Sequence, residues 1–258
     1  MKKVALITGA STGIGKELAG IHAENGGDLV IVARGKEKLD ALKVALEKKH
    51  KVKVAVIAKD LAAPNAAREI YDEITKSGIE IEFLINNAGF GALGKFHELE
   101  LERQVNMINL NITALTVLTR LFLPEFVRKN KGKILNVSST ASFMPGPLQA
   151  VYYASKAYVT FLSNALAEEL QGTKGTVTNL MPGATEKEFG AVSGMDKTEL
   201  FKKPVTARSV AQDGYKAMIK GKMDVISGLT TGQKMMMAMI PFMPKKMLLK
   251  QVRQMQEV

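Results

Sequence analysis

Residues 4–15 read VALITGASTGIG: an apolar, β-branched run that closes on three glycines, Gly9, Gly13 and Gly15. A short run of this kind predicts a strand that turns tightly into a helix. Residues without side chains let backbone amides come close to a ligand, and at a helix N-terminus those amides suit a pyrophosphate.

Further runs of the same type lie near residues 29–33, 52–58, 81–86, 132–138, 175–181 and 223–227, with helical patterns in most of the gaps. The alternation predicts a Rossmann-type α/β fold: a doubly wound parallel sheet of about seven strands, covered on both faces. In such a sheet the ligand crevice lies beyond the carboxyl ends of the strands. A length of 258 residues, 46% of them hydrophobic, suits one core. We expect a single domain over residues 1–228 and a distinct C-terminal extension over 229–258, where seven of the fourteen methionines fall.

The sequence contains no cysteine, which excludes disulfides, a thiolate nucleophile and cysteine-bound metal and is compatible with a reducing compartment. The three histidines, His22, His50 and His97, are scattered, and no metal site is expected. The apolar run after MKK is too short for a signal peptide, and no run reads as long enough to span a membrane. A cytoplasmic location is therefore expected. The net charge of +11 favours anionic partners: a phosphorylated cofactor, an acyl carrier or coenzyme A thioester, anionic lipid or nucleic acid. Lys36, Lys38, Lys43, Lys48 and Lys49 read as a solvated helix face. No basic stripe is studded with aromatics, so nucleic acid is not an expected partner.

Tyr152 and Lys156, in VYYASKAY, stand four apart, which on a helix puts both on one face. An ammonium beside a phenol favours phenolate, and that makes Tyr152 a candidate proton donor. The pair alone would usually mean an exposed tyrosine beside a solvated lysine. Here it belongs to an ordered series: the glycine turn, NNAG at 86–89, Asn111, Ser139, Tyr152, Lys156 and Pro182-Gly183. With its TGxxxGxG spacing, the series resembles the short-chain dehydrogenase/reductase family over residues 1–228, and the members grouped as hydroxysteroid dehydrogenases and 3-oxoacyl reductases in particular.

The resemblance implies reduction of a carbonyl by a nicotinamide dinucleotide. Tyr152 would protonate the oxygen. Lys156 would tune the phenol and hold the nicotinamide ribose, and Ser139, thirteen residues before Tyr152, would orient the substrate oxygen, with Ser138 as its rival. Asn111 would hold a relay water on a kinked helix; Asn106 and Asn109 are its neighbours. Tyr153 points to another helical face, as a packing or pocket residue.

For the cofactor the resemblance implies Gly9, Ser11, Gly13, Ile14 and Gly15 at the pyrophosphate, and Asp60 and Leu61 at the adenine. Asn87, Ala88 and Gly89 would lie under the ribose, and Pro182 and Gly183 beside the nicotinamide. The threonine that usually holds the carboxamide is Lys187 here, with Thr185 as the substitute. A cation at the end of the second strand accommodates the 2′-phosphate of NADP, and this chain has Arg34 there. NADP(H) is the expected cofactor.

Gly190–Pro204 falls where the family carries a substrate lid, and Phe90, Phe143, Met144, Phe189 and Met195 would line an apolar pocket. The expected substrate is thus a hydrophobic ketone or aldehyde, and the expected assembly a homodimer or homotetramer. The methionine-rich extension carries Lys234, Lys245, Lys246, Lys250 and Arg253. Its readings are core or subunit packing, which is favoured, and a membrane-surface or acyl-chain contact. The alternatives to an enzyme are a non-enzymatic NADPH-binding sensor or scaffold on the same fold, and a peripheral membrane or nucleic-acid-binding role.

Overall fold

Strand β1 (Val4–Thr8) is buried along its whole length because it has a parallel neighbour on each side, β2 (Leu29–Ala33) and β4 (Ile81–Asn86). The computed structural model describes residues 1–185, 194 and 204–257. With β3 (Val54–Ala58), β5 (Lys133–Val137), β6 (Thr176–Pro182) and β7 (Asp224–Ser227), these strands form one sheet in the order β3-β2-β1-β4-β5-β6-β7, every pairing parallel. The chain winds outward from β1 in both directions. The crevice between β1 and β4 therefore falls at the switch point of the topology.

Both faces of the strands are apolar because both are covered. Ala5, Ile7, Leu29 and Ile31 meet α1 (Gly13–Glu24), α2 (Lys36–His50) and, through Val210, Tyr215 and Met218, α7 (Ala207–Ile219). The alternate residues Leu6, Val30, Val32 and Leu84 meet α3 (Ala66–Lys76), α5 (Leu115–Arg128) and, through the partly buried Leu166 and Ala167, α6 (Ala150–Glu169). Strand β3 starts two residues later than its apolar run because the Lys53 amide donates to the Asp28 carboxylate at 2.7 Å.

A polar row crosses this apolar sheet. Asn86, Asn136 and Asn179 sit in register on β4, β5 and β6, all buried. Asn86 Nδ2 donates to Asn136 Oδ1 at 2.9 Å, Asn136 Nδ2 to Ser163 at 2.9 Å, and Asn179 Nδ2 to Asp224 at 2.8 Å. A slip of register would leave these amides unpaired, so the row specifies how the strands align.

One sequence expectation needs correction. Helix α4 (Leu101–Ile108), a π-helical stretch (Asn109–Ala114) and α5 run on as a single helix, Leu101–Arg128, of 28 residues, in which an 18-residue window reaches a mean hydropathy of 1.3, long and apolar enough by composition to cross a membrane. Its asparagines interrupt the run on paper but not the helix, because the π stretch absorbs Asn111. Packing accounts for much of the apolar content: Leu118, Phe122 and Phe126 are buried against the sheet and α3.

After β7 the extension folds back over the carboxyl-end face of the sheet as α8 (Thr231–Met239), a 3₁₀ turn (Ile240–Phe242) and α9 (Lys245–Gln256). Ile240, Leu248 and Val252 are buried there with Ala92, Met107, Tyr152 and Tyr153. The extension thus packs on its own chain.

His22, on α1, ties the start of β1 to α7. Its Nε2 donates to the Lys3 carbonyl at 2.6 Å, so Nδ1 accepts from the Tyr215 hydroxyl at 3.0 Å. Burial pushes its pKa below the ordinary 6.5. The native state therefore binds the proton less readily than the unfolded chain, and this contribution to stability is present above about pH 6.5 and lost as pH falls below it. Melting temperature measured from pH 7 to pH 5 should fall more steeply for the native protein than for His22→Gln, which cannot titrate.

Candidate active site

The carboxyl ends of β1, β2, β4, β5 and β6 open into one cleft of about 1600 Å³ that runs from the glycine turn to the methionines of the extension. Its floor is built by close backbone approach. Gly9 has φ +66°, and a Cβ on it would lie 2.8 Å from Asn87 Nδ2 and 2.9 Å from the Ala88 Cα. A Cβ on Gly15 would collide with the Gly9 carbonyl, whereas Gly13, at φ +51°, faces open space. Thr12 makes no side-chain cap to α1, and no acidic residue lies in the first turn. The amides of that turn are left to an anion in the cleft.

Thr8 and Asn87 brace the turn. The Thr8 hydroxyl accepts from the amides of Asn87 and Ala88, each at 3.0 Å, and the Asn87 side-chain amide donates to the carbonyls of Thr8 at 2.9 Å and Gly9 at 3.2 Å. Asn87 thus lines the cleft with its side chain already engaged, holding the glycine turn against β4.

At one end the cleft is lined by Ser11, Ile14, Arg34, Lys38, Lys59, Asp60 and Leu61. Arg34 stands where its position after β2 predicts. Lys38 does not: read from the sequence as part of a solvated face, it reaches the cleft from the first turn of α2. Lys59 joins them, paired with Glu69 at 2.6 Å. The Asp60 carboxylate accepts from the Ala62 amide at 3.0 Å and so holds the turn that presents Leu61. A dinucleotide fits these residues: an uncapped helix start and a surface stripped of side chains, with Arg34, Lys38 and the Glu69-paired Lys59 at the far end. Ser11, Gly13, Arg34, Asp60, Leu61, Asn87, Ala88, Gly89, Pro182, Gly183 and Thr185 all line it, and Gly15 packs beneath.

Around Tyr152 the elements converge. Ser138, just beyond β5, donates to the Lys156 carbonyl at 2.8 Å and shares a hydrogen bond with Thr160 at 2.8 Å, pinning α6 to the sheet. Its hydroxyl is thus engaged in the scaffold. Ser139 caps the following 3₁₀ turn (Thr140–Phe143) by accepting from the Ala141 amide at 3.1 Å, and it also hydrogen-bonds the Tyr152 phenol.

Lys156 is buried, its Nζ donating to the Val137 carbonyl at 2.8 Å and lying 5.8 Å from the centre of the Tyr152 ring. Burial pulls its pKa down to about 8. Burial also pushes Tyr152 up to about 12, against the opposing hydrogen bond from Ser139. Removal from water outweighs the neighbouring hydrogen bond, and Tyr152 rests as a neutral phenol. Asn111 sits on the π-helical stretch, donating to the Phe90 carbonyl and Ser155 hydroxyl, each at 3.0 Å, and accepting from the Phe90 amide at 3.1 Å. A Cβ on Gly89 would stand 3.0 Å from Asn111 Oδ1 and 3.3 Å from Lys156 Nζ, so this glycine lets both close in. Asn106 lines the cleft from an exposed position, whereas Asn111 is fully buried.

Thr185 donates to the Gly183 carbonyl at 3.0 Å. Lys187, Phe189, Met195 and, apart from Gly194 and Pro204, the expected lid segment lie outside the described residues. Phe90 and Met144 line the cleft, while Phe143 packs in the apolar cluster behind it. The opposite wall comes from the extension, with Met237, Ile240, Met243, Leu248, Val252 and Met255.

Two glutamines missed in the sequence hold that wall in place. Gln149 Nε2 donates to Gln256 Oε1 at 2.7 Å, and Gln256 Nε2 donates to the Tyr153 hydroxyl at 3.0 Å, all three residues buried. The signal was a polar residue in the apolar register of α9: Leu248, Val252 and Gln256 are spaced by four. Replacing Gln256 with Ala strands two buried polar groups, at about 1–3 kcal/mol. Hydrogen exchange should then accelerate about tenfold or more across α9 and stay unchanged in β1 and β4.

The short chain dehydrogenase family model matches residues 3–197. The human very-long-chain 3-oxoacyl-CoA reductase is 36% identical over 184 residues, covering 69% of this chain and 58% of that protein. The chain thus spans about three fifths of the length of that relative. Among solved structures, a short-chain dehydrogenase from Sphingobium yanoikuyae in complex with NADPH superposes with a TM-score of 0.84 at 32% identity, covering 99% of this chain and 98% of that one. A bulky-bulky ketone specific alcohol dehydrogenase from Comamonas testosteroni gives 0.80 at 28% identity, with coverages of 99% and 97%. With the glycine turn, the Ser139–Tyr152–Lys156 grouping and the sheet order already in place, a match along most of the sequence carries the conclusion that this chain belongs to the short-chain dehydrogenase family.

Proposed function

We propose that this oxidoreductase uses NADPH to reduce an apolar ketone, aldehyde or 3-oxoacyl compound to the alcohol. The observation that carries this reading is the Tyr152 phenol, kept protonated by burial, bonded to Ser139 and set in a cleft with cations at one end and methionines at the other. The Sphingobium neighbour binds NADPH, and the two other relatives are named for a bulky ketone and a very-long-chain 3-oxoacyl thioester, which supports the same class of substrate.

Arg34, Lys38 and Lys59 would hold the 2′-phosphate end, the amides of the first α1 turn the pyrophosphate, and Pro182, Gly183 and Thr185 the nicotinamide end. A bound NADPH supplies the hydride. The Ser139 hydroxyl and the Tyr152 phenol together fix the carbonyl oxygen, and Tyr152 gives it a proton as negative charge develops there. The Lys156 ammonium stabilises the phenolate that remains and returns a proton to it. Asn111 grips the backbone of Phe90 and so holds the Gly89 segment against which Lys156 packs. The apolar wall of the extension excludes water from the reacting centre.

We place the reaction in the cytoplasm and in a homo-oligomer. Leu101, Val105 and Ile108 are exposed along one face of α4, and Tyr158 and Phe161 are exposed on α6, a surface suited to a second copy.

The test is oxidation of NADPH and NADH against a panel of hydrophobic ketones, aldehydes and 3-oxoacyl thioesters. Tyr152→Phe should lower kcat about 100-fold or more with cofactor affinity retained. Arg34→Asp should shift the NADPH-to-NADH preference in kcat/KM at least about tenfold toward NADH. Tight NADPH binding with no turnover across the panel would favour a sensor or scaffold instead.

A further inference from the structure

Helix α8 buries none of its nine residues, although four of them are methionines, Met235, Met236, Met237 and Met239. A helix this short is marginal alone in water. A capping box between Thr230 and Gln233 holds its first turn, and of its methionines Met237 alone is half-buried, packed against the cluster around Ile240. Met235 is 70% exposed, Met239 55% and Phe242, on the following turn, 79%. Their neighbours Met236 and Met237 line the mouth of the cleft.

The extension itself is strongly basic. From Leu229 to Gln256 the sequence has five basic residues and no acidic one. Arg253 pairs with Glu257 at 2.7 Å, whereas Lys234, Lys245, Lys246 and Lys250 are exposed and have no ion pair among the described residues.

We propose that the extension docks on the surface of an anionic lipid bilayer through its exposed Met235, Met239 and Phe242 and its exposed Lys234, Lys245, Lys246 and Lys250. The thioethers and the phenyl ring enter the head-group boundary while the ammonium groups meet lipid phosphates. A second copy of the chain fits this face less well. A two-fold contact would set the same lysines against each other, and the one acidic residue of the extension, Glu257, is already paired with Arg253. The exposed Leu101 differs in this respect, since Glu98, Glu100 and Glu102 surround it in sequence. Docking also sets the cleft mouth at the lipid boundary, so an apolar carbonyl compound can pass from the bilayer to Tyr152. This delivery rests on the reductase reading; the docking does not.

The experiment is co-sedimentation of the full chain with phosphatidylcholine vesicles, with and without phosphatidylglycerol, at low and high salt. Two variants run alongside, Met235→Ser with Phe242→Ser, and Lys245→Glu with Lys246→Glu. The proposal expects binding to anionic vesicles only, weakened by salt and reduced at least about tenfold by each variant, with melting temperature unchanged. No binding to anionic vesicles, or binding that neither variant changes, overturns it. A Met235→Ser, Phe242→Ser chain that loses self-association in sedimentation velocity but keeps its vesicle binding also overturns it and assigns the face to a second copy. Because no turnover is measured, loss of docking and loss of the reductase reading are separate results.

Discussion

A buried ammonium group organises the site. Lys156 lies inside the protein with a carbonyl, Val137, as its hydrogen-bond partner and no paired carboxylate among the described residues. Such a charge is costly to bury, and the surrounding structure must hold it in one place. Ser138 fixes the backbone of Lys156 to the end of β5, Gly89 makes room for the amine, and Asn111 fixes the segment after Gly89. The same burial that weakens the lysine's hold on its proton strengthens that of the phenol beside it, so the two pKa values move toward and away from neutrality together. The result is a neutral phenol next to a cation that is easily discharged, an arrangement suited to delivering a proton and recovering it.

The cleft is graded along its length. At the end of β2 it is cationic and open. At the glycine turn it is bare backbone, kept bare because Thr8 and Asn87 lock β1 to β4 so closely that no side chain fits. Beyond Tyr152 it is mainly apolar, and there the wall comes from a part of the chain outside the seven-stranded core. The extension reaches that wall through α9, whose buried glutamine binds the residue next to the proton donor. Its other helix is left with methionines in solvent.

Strands and glycine turn were legible in the sequence because both rest on local rules: period-2 burial on two faces, and positive φ where a chain must double back. The order of Asn111, Ser139, Tyr152 and Lys156 was legible through the family resemblance; Ser139 follows the end of β5, whereas Asn111 comes from the π-helical stretch and Tyr152 and Lys156 from α6. What was not legible depends on three-dimensional placement. Lys38 has the same local pattern as Lys43 and differs by reaching round the first turn of α2 into the cleft. The phenol's upward shift is a matter of burial, which a spacing of four residues does not report. The long helix hid behind its asparagines, because a π-helical stretch has no composition of its own. The methionines of the extension divide between a buried wall and an exposed face according to how α8 and α9 pack, and the composition alone is the same for both.

The most direct measurement is a pH titration of the lysine side chains by NMR, with ¹³C-labelled lysine and Lys156→Met for assignment. The account predicts one lysine resonance, absent from the variant, that titrates near pH 8, well below the ordinary 10.5. If every lysine titrates near 10.5, Lys156 is not held in a desolvated site, and the explanation of Tyr152 as a burial-tuned proton donor fails.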